Sequence, residues 1–235
     1  MHTNTPKSEV YNMDCLDAMR EMPDNAFDLA IVDPPYGIGE ADGKNHSRGK
    51  ITKPKLYTKK QWDNTIPSNE YFVQLKRVSK NQIIWGANHF GGMNPSPCWI
   101  VWDKNNGDTD FADCELAYTS FKTSVRRFLF TWSGMRQGNM KQKEERLHPT
   151  QKPIALYKWL LSNYAKQGDR ILDTHLGSGS SRIAAYDMGF DFVGYELDAE
   201  YFDAMNKRFA AHISRPAMFA PDEMYQIEQK KLFEQ

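Results

Sequence analysis

The stretch Ala26-Phe27-Asp28-Leu29-Ala30-Ile31-Val32 stops at Asp33-Pro34-Pro35-Tyr36-Gly37, and that stop constrains the chain more than any other feature. The aliphatic run Leu29 to Val32 reads as a strand buried on both faces, the habit of a parallel sheet. Successive prolines supply no N–H to continue a ladder, and Pro34 drives Asp33 toward an extended backbone. The chain must therefore leave the sheet in a stiff loop at a strand's carboxyl end, where open α/β sheets hold ligands. That loop gathers a carboxylate, carbonyls with no intervening donors and an aromatic ring. Such a set suits a planar ring bearing an exocyclic amine. An ordinary proline turn after a core strand is the plainer alternative, and the rest of the chain has to separate the two.

Taken in order, short apolar runs alternate with helical spacing. Val10–Met13 reads as a strand, with Asp14 at its end, and Leu16, Met19 and Met22 recur as one face of a helix. Pro67-Ser68 announces a second helix over Tyr71–Val78. Gln82–Trp85, Trp99–Trp102 and Glu115–Phe121 read as strands, and Phe128–Trp132 as a short strand or edge segment. A helix is expected from Pro153 to Ala165, with Pro153 in the first turn and Gly168 as its stop. Strand Arg170–Asp173, a helix to about Met188, strand Phe192–Glu196 and a helix from about Ala199 to His212 follow. The pattern predicts an α/β fold: a mostly parallel sheet, mixed at one edge, with helices on both faces. The whole of residues 1–235 is read as one domain, interrupted by polar, aperiodic insertions at about 38–62 and 133–147.

Of 235 residues, 40% are hydrophobic and 26% charged, which is the balance of a soluble globular protein. No apolar run is long enough to span a bilayer, and the N-terminus lacks a signal-peptide core. The widely spaced Cys15, Cys98 and Cys114 offer neither a disulfide framework nor a metal cluster, so a reducing cytoplasm and no metal are expected. The net charge of zero hides an asymmetry. Residues 38–62 hold seven basic against two acidic side chains, and residues 122–152 eight against two. Basic loops of this kind suggest a polyanionic partner, although a charge run is more commonly a solvated face. Lys44, Arg48, Lys50, Lys53, Lys55, Arg136, Lys141 and Lys143 are the candidate phosphate contacts.

A second constellation, Leu172-Asp173-Thr174-His175-Leu176-Gly177-Ser178-Gly179-Ser180-Ser181, reads as strand, glycine turn and helix start. Glu196 then ends the next strand. Glycines allow a nucleoside-type ligand to approach the backbone, the helix start favours negative charge, and Glu196 is placed to hold ribose hydroxyls. The candidate ligand-binding residues of this unit are Asp173, Gly177, Ser178, Gly179 and Glu196.

Asp33-Pro34-Pro35-Tyr36 followed by Asp173-Thr174-His175-Leu176-Gly177-Ser178-Gly179-Ser180 resembles the S-adenosylmethionine-dependent DNA amino-methyltransferases. The order, tetrapeptide before glycine loop, resembles their circularly permuted β group. His148-Pro149-Thr150-Gln151-Lys152-Pro153 matches a segment that group carries just ahead of the glycine loop. The resemblance spans roughly residues 8–212, and departs from the family where Thr174-His175 replaces the usual Pro-Phe. It implies a Rossmann-like methyltransferase fold with a seven-stranded sheet, and S-adenosylmethionine as cofactor. It also implies double-stranded DNA as partner, contacted through both insertions. A homodimer is compatible with the sequence, as is an orphan, phage or restriction-modification setting.

By that resemblance Asp33, Pro34, Pro35 and Tyr36 form the catalytic loop around a flipped-out base. Asp33 and the Pro34 carbonyl accept the amine hydrogens, while Tyr36 stacks on the base or else packs into the core. Asp14 would contact the cofactor adenine and His175 would pack near the cofactor. Lys152 either serves the cofactor carboxylate or is a surface lysine. An initial Asp resembles the adenine-N6 members, with cytosine-N4 as the alternative. RNA or protein-glutamine methylation, or nucleic-acid binding without catalysis, remain as other readings. The Asp33–Tyr36 loop itself holds no cysteine, so a cytosine-C5 enzyme working through a thiolate nucleophile is not expected.

Overall fold

The computed structural model describes residues 5–39, 63, 65–107, 112–133, 136–141, 143–214, 225, 226 and 229. Strand β1 (Ser8–Tyr11) leads through helix α1 (Cys15–Glu21) to β2 (Phe27–Val32), and α2 (Asn69–Val78) leads to β3 (Ser79–Trp85). Strands β4 (Trp99–Asp103), β5 (Cys114–Thr119) and β6 (Arg126–Leu129) follow. The hairpin of β7 (Trp132–Ser133) and β8 (Arg136–Gln137) precedes α3 (Ile154–Tyr164). Then come β9 (Arg170–Asp173), α4 (Ser180–Asp187), β10 (Asp191–Tyr195) and α5 (Ala199–Ile213).

Eight strands form the main sheet, in the order β1-β10-β9-β2-β3-β5-β4-β6. The run from β1 to β3 is parallel, β5 is antiparallel to both its neighbours, and β6 runs parallel to β4. The mixed sheet with helices on both faces is as expected, with eight strands where seven were predicted. The difference lies at one edge. Arg126 and Arg127 are exposed on β6, so an edge strand that needs only one neighbour shows no apolar run. The sequence signal accordingly falls two residues late, on Phe128–Trp132. The polar stretch 133–147 contains β8, which was not expected.

Local chemistry explains most boundaries. The Ser68 side chain accepts from Tyr71 N at 3.2 Å and caps α2, while Tyr71, Phe72, Leu75 and Val78 turn inward. Pro153 is the cap of α3 and not a first-turn residue, with φ −73° and ψ 148°. Gly168, at φ +92°, turns the chain into β9 a few residues beyond the helix. Alternation along β2 feeds two cores. Leu29 and Ile31 join Leu156 and Leu160 of α3 and Ala184 and Ala185 of α4. Ala30 and Val32 join Met19 of α1 and Phe72 and Leu75 of α2. That double burial is the reason Leu29–Val32 is uniformly aliphatic.

The connection of β2 to β3 carries α2, and that of β9 to β10 carries α4, in opposite directions along the sheet. The sheet therefore reverses its winding between β2 and β9, which pair directly through Leu29–Ile171 and Ala30–Leu172. Ligands of such sheets bind at this reversal. The loops beginning at Asp33 and Asp173 leave it side by side.

Candidate active site

Tyr36 is neither buried in the core nor free. Its ring lies parallel to His89, with centroids 5.1 Å apart at 12°, and meets Phe90 edge-on at 6.2 Å. Gly86, at φ +66°, makes this possible, because a Cβ there would fall 2.0 Å from Tyr36 Cε1. The backbone of the loop is held by Asp63, whose Oδ1 accepts from Tyr36 N at 2.7 Å and Gly37 N at 3.0 Å. Asp63 is 2% exposed. Its carbonyl also takes Gly39 N at 3.2 Å.

Below the ring is a buried charge cluster. Tyr36 OH donates to Asp33 Oδ1 at 2.6 Å, and Lys152 Nζ donates to Tyr36 OH at 3.1 Å. Lys152 Nζ also lies 2.6 Å from Asp33 Oδ2 and 3.1 Å from Glu115 Oε2. Glu115 Oε1 meets Lys104 Nζ at 2.5 Å. Burial raises the Asp33 carboxyl above its ordinary range; Lys152 opposes that rise and Glu115 adds to it. Burial works against the Lys152 ammonium, yet Asp33 and Glu115 together push its pKa up. Burial also opposes ionisation of Glu115, but Lys152 and Lys104 hold its pKa down to about 2. Lys152 is 3% exposed, so the surface-lysine reading is wrong. Its length lets it reach from the segment before α3 into the cluster, and its charge is met there. The structure sets it against the Asp33 loop.

The glycine loop is built from within. Asp173 is buried; its Oδ1 accepts from His175 N at 2.9 Å and its Oδ2 from Ser181 Oγ at 2.5 Å. Burial pushes this carboxyl up to about 7. Glu196 Oε2 accepts from Gly177 N at 2.8 Å and Oε1 from Asp198 N at 2.9 Å. At Gly177, φ +49°, a Cβ would meet nothing closer than the His148 ring at 3.7 Å, so space lies over this backbone. Gly179 serves a different end: its Cβ would strike Met205 Cγ of α5 at 2.4 Å. The missing side chain there makes room for a helix. Asp14 caps α1 by accepting from Leu16 N at 2.7 Å. Ser178 is buried and its Oγ lies 3.2 Å from Ser180 Oγ.

His175 packs beside this loop. Its Nδ1 is 2.9 Å from Thr174 Oγ1, which in turn is 2.7 Å from Tyr71 OH. The Tyr71 ring meets the imidazole edge-on at 5.5 Å. Burial lowers the imidazole pKa to about 4, so the ring is neutral near pH 7.

Several site residues left no signal in the sequence. Asp63 follows a long aperiodic segment, and His89 lies three positions past Gly86 in a connection. Glu115 is a lone acid opening an otherwise apolar strand, which is the one cue that was available. His148 packs edge-on against Tyr201 at 4.4 Å and covers the glycine loop. Of the candidate phosphate contacts, Arg136, Lys141 and Lys143 are exposed on the segment from β8 toward α3. Lys44, Arg48, Lys50, Lys53 and Lys55 lie outside the described residues. Gln137, buried between these cations, exchanges hydrogen bonds with the Glu144 backbone at 2.8 and 2.9 Å. Glu144 Oε2 pairs with Arg208 at 2.7 Å, and Arg208 donates to Ser178 O at 2.8 Å. The insertion is thus tied to the glycine loop through α5. Among the described residues no helix is long and apolar enough to cross a membrane, and no His/Cys/Asp/Glu group is arranged to hold a metal.

Residues 84–207 match the family model for N6/N4 DNA methylases. The chain belongs to this family. Among relatives of this DNA amino-methyltransferase, the type II methyltransferase M2.MboI of Moraxella bovis is 25% identical over 244 residues, covering 85% of this chain and 86% of its own. The type II methyltransferase M.HinfI of Haemophilus influenzae is 26% identical over 245 residues, covering 83% of this chain and 66% of its own. The M1.HpyAVI–SAM complex superposes with a TM-score of 0.54 at 20% identity, over 85% of this chain and 98% of that one. The cytosine-N4-specific PvuII DNA methyltransferase gives 0.54 at 12% identity, over 99% and 95%. At such identities the two solved structures speak for the shared fold.

Two outcomes follow for this methyltransferase. Gly86→Ala places a methyl group inside the Tyr36 ring and demands a left-handed alanine. Displacement of the ring is expected to lower kcat by about 100-fold, measured by methyl incorporation, with cofactor affinity retained. For His175, the unfolded chain titrates near 6.5 and the folded one near 4. The unfolded state therefore binds more protons across that window, and stability falls as pH drops through it. His175→Phe should lose less melting temperature than wild type between pH 7 and pH 4.5, as followed by circular dichroism.

Proposed function

We propose that this enzyme transfers a methyl group from S-adenosylmethionine to the exocyclic N6 amine of an adenine extruded from duplex DNA. The observation that carries the reading is the pairing of β2 with β9, which sets the Asp33 loop beside the glycine loop at one rim. When bound, S-adenosylmethionine supplies an electrophilic methyl on a sulfonium centre. The residues present fit it: the Glu196 carboxylate already rests on Gly177 N, the Gly177 backbone is open, and Asp14 caps α1 in the turn after β1.

Asp33 and the Pro34 carbonyl accept the hydrogens of the target amine and aim its lone pair toward the cofactor side of the rim. Asp33 would take the surplus proton of the methylated amine along the hydrogen bond that holds it. Positioning and a desolvated acceptor do the work. Tyr36 offers the base a ring whose hydroxyl is pinned by Asp33 and Lys152 and whose plane is held by His89, Phe90 and the backbone at Gly86. Base extrusion precedes the chemistry, because a stacked amine cannot reach the rim. Arg136, Lys141 and Lys143 contact phosphates, together with the basic residues of 38–62, and lend the binding its salt dependence.

The initial Asp of the tetrapeptide favours adenine, as in the adenine-N6 members the sequence resembles. The test is methylation of mixed-sequence duplex DNA followed by nucleoside analysis. N6-methyladenine is expected; N4-methylcytosine would transfer the reading to the other base, and label in neither would overturn it. Asp33→Ala is expected to abolish transfer with cofactor affinity nearly unchanged by calorimetry, and wild-type turnover in that variant would refute the role given to Asp33.

A further inference from the structure

We propose that Glu115 is a positioning residue for methyl transfer: by sharing Lys152 with Asp33 it keeps the Asp33 carboxylate open to the target amine. The inference rests on the functional reading above and assigns a part to a strand residue outside both sequence motifs.

The geometry is that of one cation between two anions. Lys152 Nζ stands 2.6 Å from Asp33 and 3.1 Å from Glu115, and its own side chain is 2% exposed. Glu115 Oε2 is buried and has no neutral hydrogen-bond donor among the described residues, so the Lys152 charge is what it faces. On its other oxygen Glu115 takes Lys104, from the loop after β4. Two carboxylates thus alternate with two ammonium groups, from Asp33 at the rim to Lys104 on the outer side. A lone Lys152–Asp33 pair at this depth would draw the full charge of the lysine onto the acceptor the amine needs. A second carboxylate divides that charge. It also holds the ammonium in place when the amine arrives and Asp33 is drawn toward it.

The groups facing Asp33 include Lys152 before α3, Glu115 on β5, Tyr36 on its own loop, Tyr157 of α3, Tyr71 of α2 and Asp173 at the end of β9. The three tyrosines stay neutral, since burial raises each of them well above the ordinary phenol range. Glu115 of this set, and Lys104 behind it, can be altered without touching the proposed base or cofactor pockets, and they act on Asp33 with opposite sign.

The experiment is the pH profile of kcat/KM for methyl transfer to duplex DNA, whose acid limb reports the acceptor in the free enzyme. Glu115→Gln removes an anion and leaves Lys152 to Asp33 alone. The acid limb should move down by about one pH unit, with kcat at neutral pH reduced. Lys104→Met frees Glu115 to draw Lys152 away, and the limb should move up. Glu115→Asp keeps the charge and should keep the wild-type limb. Damage to folding alone would lower the whole profile without moving its limb, and cannot move it in opposite directions in two variants. Limbs unmoved in both variants, or moved the same way, would overturn the inference. If Glu115→Gln does not bind S-adenosylmethionine, the direction of the Lys104→Met shift decides. A wild-type enzyme silent on DNA would overturn the functional reading, and this inference with it, whereas an active wild type with unmoved variants would overturn the inference alone.

Discussion

The direct pairing of β2 with β9 is the constraint on which the molecule depends. These strands lie about 140 positions apart in the chain, yet they share a register through Leu29–Ile171 and Ala30–Leu172. Closing so long a loop costs conformational entropy, offset by the burial of aliphatic side chains on both faces of each strand. Once paired, the two strands must release their loops at the same rim, since parallel strands point their carboxyl ends one way. Everything chemical about the site, from Asp33 to Gly177, follows from that shared direction.

The charge cluster is the second consequence. The segment from His148 to Pro153 lies just before α3, and α3 packs on the β2–β9 face. Lys152 is thereby carried under the rim, where water is scarce and an ammonium ion needs counter-charge. Asp33 provides one and Glu115 the other, and Lys104 completes a neutral set of two acids and two bases. Removing a single partner from such a buried set leaves an uncompensated charge, which costs on the order of 3–5 kcal/mol. The cluster is therefore more than a scaffold for Tyr36: its internal balance decides how firmly the Asp33 carboxylate is already engaged.

Much of the architecture was legible in the residues. Leu29–Val32 had to be a doubly buried strand because both faces of β2 are covered, and Pro34-Pro35 had to end it. Ser68 marked the start of α2 through its hydroxyl. The edge was harder to read: Arg126–Leu129 pairs on one side only and faces solvent on the other, so charge there costs nothing and leaves no apolar trace. The glycine loop is the expected strand, turn and helix start, but its two glycines are small for different reasons. Gly177 leaves backbone accessible, whereas Gly179 is small because Met205 of α5 presses on it, a contact that no local pattern reports.

By itself, then, the sequence determined the alternation of strands and helices, the two loops rich in chemistry and their order along the chain. These are local matters, settled by backbone stereochemistry and by the period of apolar residues. Only the tertiary structure decided that Lys152 is buried against Asp33, that Glu115 and Lys104 stand behind it, that Asp63 holds the backbone of the Tyr36 loop, and that His89 lies along the ring. Those partners come from separate segments of the chain. Electrostatic and stacking contacts depend on distance in space, and distance along the chain carries almost no record of it.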